Sequence, residues 1–329
     1  MNMITRRLIR IKVFKILYSS IFSENRNINT AEINLLTSCD KTVELYYFFL
    51  NSLVSMKNKA EMKIEHGFSK YQKTETDENP NRNFVENKFI LSLTEDDKFN
   101  LFLARHKNSE WADESEQVLK KMIASIQEKE YYQKYMSLEK TTLKDDCLLA
   151  RRIFENEFED NIDLEELLEE KSLLWIDDMN FVLNVILRNI KHFYTCQTKE
   201  SEEKNADLFS MADVQAFMKE EDKDFAVELL KSTLVNYDEY YAKVNDMVTN
   251  WERDRVVATD MVLIVQGIME AIKFPEIPTK VTINEYVEIS KYYSTDKSKI
   301  FVNGLLDKII YAMVSSGEVV KKGRGLIES

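Results

Sequence analysis

The sequence predicts an all-α protein, and three observations carry that expectation. Only 6 glycines and 3 prolines occur in 329 residues. Their combined share is roughly 3%, against a usual share of roughly 12%. That is too few for the turns of an all-β fold or the phosphate-cradling loops of an α/β fold. Hydrophobic types make up 44% and charged types 31%, the balance of a folded globular chain rather than a disordered one. Apolar residues also recur at helical spacing: Phe301, Val302, Leu305, Leu306, Ile309 and Ile310 make the stripe that a helix buries.

The length suggests two domains, or one domain with a large insertion. Three parts are expected: 1–57, 58–205 and 206–329. The first opens with a helix over 5–22. Its start is basic, with Arg6, Arg7, Arg10, Lys12 and Lys15 and no acid as far as Phe22, in a chain of net charge -12. From Ile11 onward the helix is apolar almost all round (Val13, Phe14, Ile16, Leu17, Ile21), the mark of a buried helix. A second helix is expected after it. Asn29 and Glu32 have capping-box spacing, and the dense run from Val43 to Val54 supplies a second core element.

In the middle part, polar residues 58–83 with Gly67 and Pro80 read as a loop. Helices follow at about 83–105, 111–137, 143–159 and 175–195. Asp160, Asp163, Glu165, Glu166, Glu169 and Glu170 lack the alternation and the central glycine of a calcium loop, so they read as a solvated helix face. Trp111, Tyr131, Tyr132, Trp175 and Phe181 are rich enough in ring surface to pack. Residues 197–207 read as a charged linker.

The last part should carry helices at about 222–234, 236–250, 254–272, 282–293 and 298–314. Pro275 and Pro278 stiffen a loop. Thr282 and Glu285 have capping-box spacing, with Val281 and Tyr286 placed as a hydrophobic staple. Gly304 inside the final helix permits close packing or backbone access to a ligand.

Chemistry-bearing motifs are scarce. Three scattered cysteines (Cys39, Cys147, Cys196) and three histidines make neither a disulfide framework nor a metal site. No phosphate loop, zinc-protease helix, dinucleotide fingerprint or nucleophile elbow occurs, so no cofactor is expected and a binding protein is expected rather than an enzyme. No apolar run of about 18 residues occurs, and the basic start lacks the uninterrupted apolar core of a signal peptide. The cytoplasm is the expected compartment.

At about 100° per residue, Arg10 lies about 40° and Arg7 about 100° from Arg6, with Phe14 and Tyr18 in or beside that sector. Lys12 and Lys15 point elsewhere. Guanidinium groups pair bidentately with phosphate, exposed rings stack unpaired bases, and helix N-terminal amides favour anions. The arrangement suits a single RNA strand crossing the helix start. On geometry alone, an ordinary solvated basic turn with both rings in the core is the commoner arrangement.

The segment Val281-Thr-Ile-Asn-Glu-Tyr-Val-Glu-Ile-Ser290, followed by Ser298-Lys-Ile-Phe-Val-Asn-Gly-Leu-Leu-Asp-Lys308, closely resembles the C-terminal signature of the NusB family of transcription antitermination and ribosomal RNA transcription factors. The opening Arg6-Arg7-Leu-Ile-Arg10 run, ending in Leu17-Tyr18, is similar to the family's first helix. Phe225-Ala-Val-Glu-Leu-Leu-Lys231 and Trp251-Glu-Arg-Asp-Arg255 fall where members carry similar helices. The chain is about twice the ordinary length, like long Bacteroidetes forms, so 58–205 reads as a lineage-specific insertion. Ser290 stands where the family has alanine, and Val265-Gln266-Gly267 departs from a segment that often carries arginine and alanines.

The resemblance implies two three-helix bundles, binding of boxA-type single-stranded RNA, the NusE partner (a ribosomal protein of the small subunit) and the transcription elongation complex. It favours RNA contacts for Arg6, Arg7, Arg10 and Tyr18, while Phe14 stays in the core. Lys299, Phe301 and Asn303, with Ser298, extend the surface, and a core role for Phe301 stays open. Asp307 and Lys308 read as a surface pair. The acidic net charge favours the alternative, a helical protein–protein adaptor without RNA binding, since nucleic-acid binders are usually basic.

Overall fold

The computed structural model describes residues 4–23, 26–198, 209–217, 219–248 and 257–327. Among them, helices account for nearly all regular structure and no strand occurs. The chain divides into two compact units, Asp40–Ala216 and a terminal unit made of Asn2–Cys39 with Phe217–Ser329. The expected boundaries at 57/58 and 205/206 both fall within the first of these.

Helix α1 (Arg6–Ile21) starts at Thr5, whose hydroxyl accepts from the Leu8 amide at 3.3 Å. It buries Leu8, Ile9, Val13, Phe14, Leu17 and Ile21. Helix α2 (Ile28–Ser69) starts two residues earlier than the Asn29–Glu32 spacing suggests. Asn27 is the capping side chain, accepting from the Thr30 amide at 3.1 Å, and Glu32 pairs instead with Lys231 at 2.7 Å. The helix also runs through residues 58–69, where a loop was expected. That stretch is polar but made mostly of good helix formers, and Lys57 and Glu61 pair across one turn at 2.6 Å. Residues 40 onward of α2 belong to the central unit.

The central unit continues with α3 (Glu75–Glu78), α4 (Lys88–Thr94), α5 (Asp97–Arg105), α6 (Glu114–Glu128), α7 (Glu130–Met136), α8 (Leu143–Glu157), α9 (Ile162–Lys171) and α10 (Met179–Thr198). Helix α8 packs on α4 and α10. Aromatic residues fill the core: Phe48 stacks on Trp111 at 4.4 Å and lies 5.2 Å from Trp175, and Phe49 meets Phe158 edge-on at 5.0 Å. Buried Asp146 is satisfied by the Tyr135 hydroxyl at 2.7 Å and the Lys88 amide at 2.9 Å. The acidic residues of α9 form no cluster suited to a metal ion, nor do any others among the described residues.

The terminal unit adds α11 (Glu220–Val248), α12 (Ala258–Lys273), α13 (Thr279–Tyr293) and α14 (Ser298–Ser316). Helix α11 is one continuous helix where a break near 235 was expected. Trp251–Arg255 lies outside the described residues, as does most of the expected linker. Helix α12 is buried along nearly its whole length and packs on α11, α13 and α14. Helix α1 packs on α11 and α12, so α12 is the hub of this unit. At Gly267 a side chain would press on Leu306 and Tyr286, with carbons at 3.0 and 3.1 Å from its Cβ position. Gly267 therefore permits close approach of α12 to α13 and α14.

Candidate nucleic-acid interface

A charged cluster within the terminal unit fixes α1. Glu270 of α12 is fully buried, and both its carboxylate oxygens accept from Arg10, from Nε at 2.7 Å and from Nη2 at 2.8 Å. The same carboxylate accepts from the hydroxyls of Thr282 and Tyr286, each at 3.0 Å. Gln266 donates to the Arg10 carbonyl at 3.0 Å. Burial works against the Arg10 charge, but the facing Glu270 carboxylate outweighs it and raises the guanidinium pKa above its ordinary value. Arg10 is 3% exposed, so it is a structural anchor and not a phosphate contact. The helical wheel groups it with Arg6 and Arg7, but its edge of the sector is the one covered by α11 and α12.

Thr282 is likewise no cap. Helix α13 begins three residues earlier, after Pro278, and the Thr282 hydroxyl is spent on Glu270. Lys12, also buried, donates to the Ser38 carbonyl at 2.9 Å.

Arg6 and Arg7 reach solvent, with side chains 44% and 53% exposed. Arg6 Nε donates to Asp222 at 3.1 Å, and its guanidinium lies 4.9 Å over the Phe225 ring. Arg7 makes a two-point pair with Glu285, at 3.0 Å from Nε and 2.7 Å from Nη2. Glu285 is also 3.5 Å from Arg10. Each exposed arginine thus rests on a carboxylate of another helix.

Phe14 is buried, as expected, and Tyr18 is 39% exposed. Their ring centroids are 6.2 Å apart, and Phe14 lies 5.6 Å from Tyr293 at the end of α13. The start of α14 follows five residues later. Lys299 and Asn303 are exposed one turn apart, and Phe301 is half-buried. Ser298 faces inward, donating to buried Asp260 at 2.8 Å, so it is a packing residue rather than part of a surface.

Residues 190–311 match the NusB family model. The chain carries a NusB family domain. Three similar relatives bear the same description, transcription antitermination protein NusB. The one from Salinibacter ruber is 40% identical over 32% of this chain and 66% of its own length. The one from Chloroherpeton thalassium is 38% identical over 40% and 61%, and the one from Methylacidiphilum infernorum is 38% identical over 28% and 64%. The chain thus spans just under two thirds of the length of these relatives. No solved structure matches it. Among the described residues, no helix is long and apolar enough to cross a membrane.

Helix α1 lies outside the NusB match, yet it packs on α11 and α12 of the NusB domain. Glu270 and Asp222 have no place in the sequence reading, and Glu285 enters it only as a capping residue, yet all three hold arginines. The signal for Glu270 was present: it is a lone carboxylate near the end of the apolar run Met261–Ala271, and a buried charge demands a partner.

Glu285 yields a pH prediction. Burial raises its pKa, but the Arg7 hydrogen bond and the charges of Arg10 and Arg7 lower it further, to a net value below the ordinary one. A carboxylate with a lowered folded pKa stabilises the fold above its unfolded value of about 4.3 and loses that contribution as pH falls through the lowered value. Wild type should therefore exceed Glu285→Gln in stability near neutrality, with the difference closing in acid. Urea unfolding at a series of pH values checks this, and a difference that widens in acid contradicts it.

Proposed function

We propose that this chain is an RNA-binding transcription antitermination factor. It takes boxA-type single-stranded RNA together with the NusE ribosomal-protein partner and supports ribosomal RNA transcription within the elongation complex. The observation that carries this reading is the exposed Arg6–Arg7 pair on the first turn of α1, a helix packed on α11 and α12, which lie within the NusB match. The names of the relatives support the same process.

The chemistry is exchange of one anion for another. A phosphate displaces Asp222 from Arg6 and Glu285 from Arg7. Two-point guanidinium geometry suits either acceptor. Amides at the start of α1 add a partial positive charge. The net charge of -12 disfavours RNA elsewhere on the surface, confining it to this end. Tyr18 offers a face for an unpaired base, and Lys299 and Asn303 extend the surface with donors. Phe301, half-buried, contributes at most an edge. The reading is of a non-catalytic protein.

The test is a binding titration of the full chain against boxA-type single-stranded RNA and a duplex of the same composition, with and without the small-subunit partner. Preferential single-strand binding, strengthened by the partner, is expected. No RNA binding under either condition, with retained capture of the partner, replaces this reading with that of a protein–protein adaptor.

A further inference from the structure

The ring row on α1 does not stop at Tyr18. Phe22, the residue that ends the helix, lies 4.8 Å from Tyr18 between ring centroids, at 51°, and is 56% exposed. Buried Phe14 backs Tyr18, Tyr293 backs Phe14, and the Lys15 ammonium sits 5.4 Å over Tyr293. Tyr18 is therefore backed by packed rings, and Phe22 rests on Tyr18. Just past them, Arg26 Nε donates to the Ile21 carbonyl at 3.3 Å. Its Nη1 reaches both oxygens of Asp238 at 2.8 and 2.9 Å. The Asp238 side chain is 79% exposed, and an exposed ion pair contributes little stability, so that carboxylate exchanges readily for another anion.

We propose that Tyr18 and Phe22 form a two-ring ledge that stacks two successive unpaired bases, with Arg26 taking the phosphate beyond them. The track then runs from Arg7 along α1 and past its end to Arg26. This rests on the RNA reading above and extends it to the length and strandedness of the ligand. Arg7 and Tyr18 lie about 20° apart around the helix, and four residues separate the two rings by about 6 Å along its axis. The rings are tilted to each other, so each presents its own face to a base. The distance from Arg7 to Phe22 is about 22 Å along the axis. That corresponds to about seven nucleotides at the stacked rise of roughly 3.4 Å, and fewer in a stretched strand. A duplex keeps its bases stacked inside and cannot use such a ledge. A purely apolar protein contact would not call for guanidinium groups at both ends of the rings, whereas a polyanion with flat bases uses both.

The experiment is a fluorescence-anisotropy titration of the full chain with a labelled single-stranded RNA of about a dozen nucleotides, read at several salt concentrations. Phe22 is 56% exposed and Arg26 partly exposed, so the variants should fold, and circular dichroism verifies this. Phe22→Ala should weaken binding about five- to hundred-fold and leave the salt slope unchanged, with Phe22→Trp restoring affinity to within about twofold. Arg26→Gln should flatten the slope by about 0.7. Wild-type affinity and slope in both Phe22→Ala and Arg26→Gln, with binding still lost in Arg6→Ala/Arg7→Ala, overturn the ledge while leaving the RNA reading intact. Loss of partner capture in Phe22→Ala with unchanged RNA binding makes the ledge a protein contact and also overturns it. If wild type binds no RNA even with the partner present, the RNA reading fails and the ledge with it.

Discussion

Replacing Glu270 with alanine should cost about 3–5 kcal/mol of folding stability, the usual penalty for breaking a buried ion pair from one side. The loss comes less from the missing bonds than from what stays behind. Arg10, 3% exposed, would keep a buried charge whose nearest remaining carboxylate among the described residues is Glu285 at 3.5 Å, beside the Phe225 ring at 5.3 Å. The hydroxyls of Thr282 and Tyr286 would lose their acceptor as well. Urea unfolding should show a lower midpoint at an unchanged denaturant slope, the mark of altered stability rather than an altered end state. Replacing Arg10 and Glu270 together with methionine should recover much of the loss, because an apolar pair of similar volume often matches or exceeds a buried ion pair. A loss below about 1 kcal/mol in Glu270→Ala would mean that the cluster does not anchor α1.

Leu17→Ala should cost about 2–5 kcal/mol as a core truncation. Leu17 is fully buried on a helix held between α11 and α12, so the cavity has little freedom to collapse. The helix packs on α11 and α12, while α14 packs on α12 and α13. Equilibrium unfolding measures the cost, and a loss below about 1 kcal/mol would show α1 to be peripheral.

Scarcity of glycine and proline was enough to read the all-α class from the sequence, and periodicity marked the buried stripe of α14. Polarity misled at 58–69, because a solvated helix face and a loop share composition, and only the run of strong helix formers separates them. A capping pattern misled twice. Asn29–Glu32 lies inside α2, and Thr282 directs its hydroxyl to a carboxylate on another helix, which no local pattern records. The arginine sector was legible as a sector. What a helical wheel cannot say is which edge a neighbouring helix covers, and that decided between Arg10 as anchor and Arg6 and Arg7 as exposed groups. The row from Tyr293 through Phe14 and Tyr18 to Phe22 depends on α13 meeting α1, and Arg26 joins it through its hydrogen bond to the Ile21 carbonyl.

On the proposed reading Arg6 and Arg7 bind phosphate while Arg10 holds the fold, and the salt dependence of RNA affinity in wild type and in the Arg6→Ala/Arg7→Ala variant separates the two roles. Each phosphate contact on a single strand contributes about 0.7 to the slope of log affinity against log salt. Removing two should flatten the slope by about 1.4 and weaken RNAs of different sequence alike. The variant should keep most of its stability, because both lost ion pairs involve half-exposed arginines. A folded double variant with wild-type affinity and slope at every salt concentration contradicts the account.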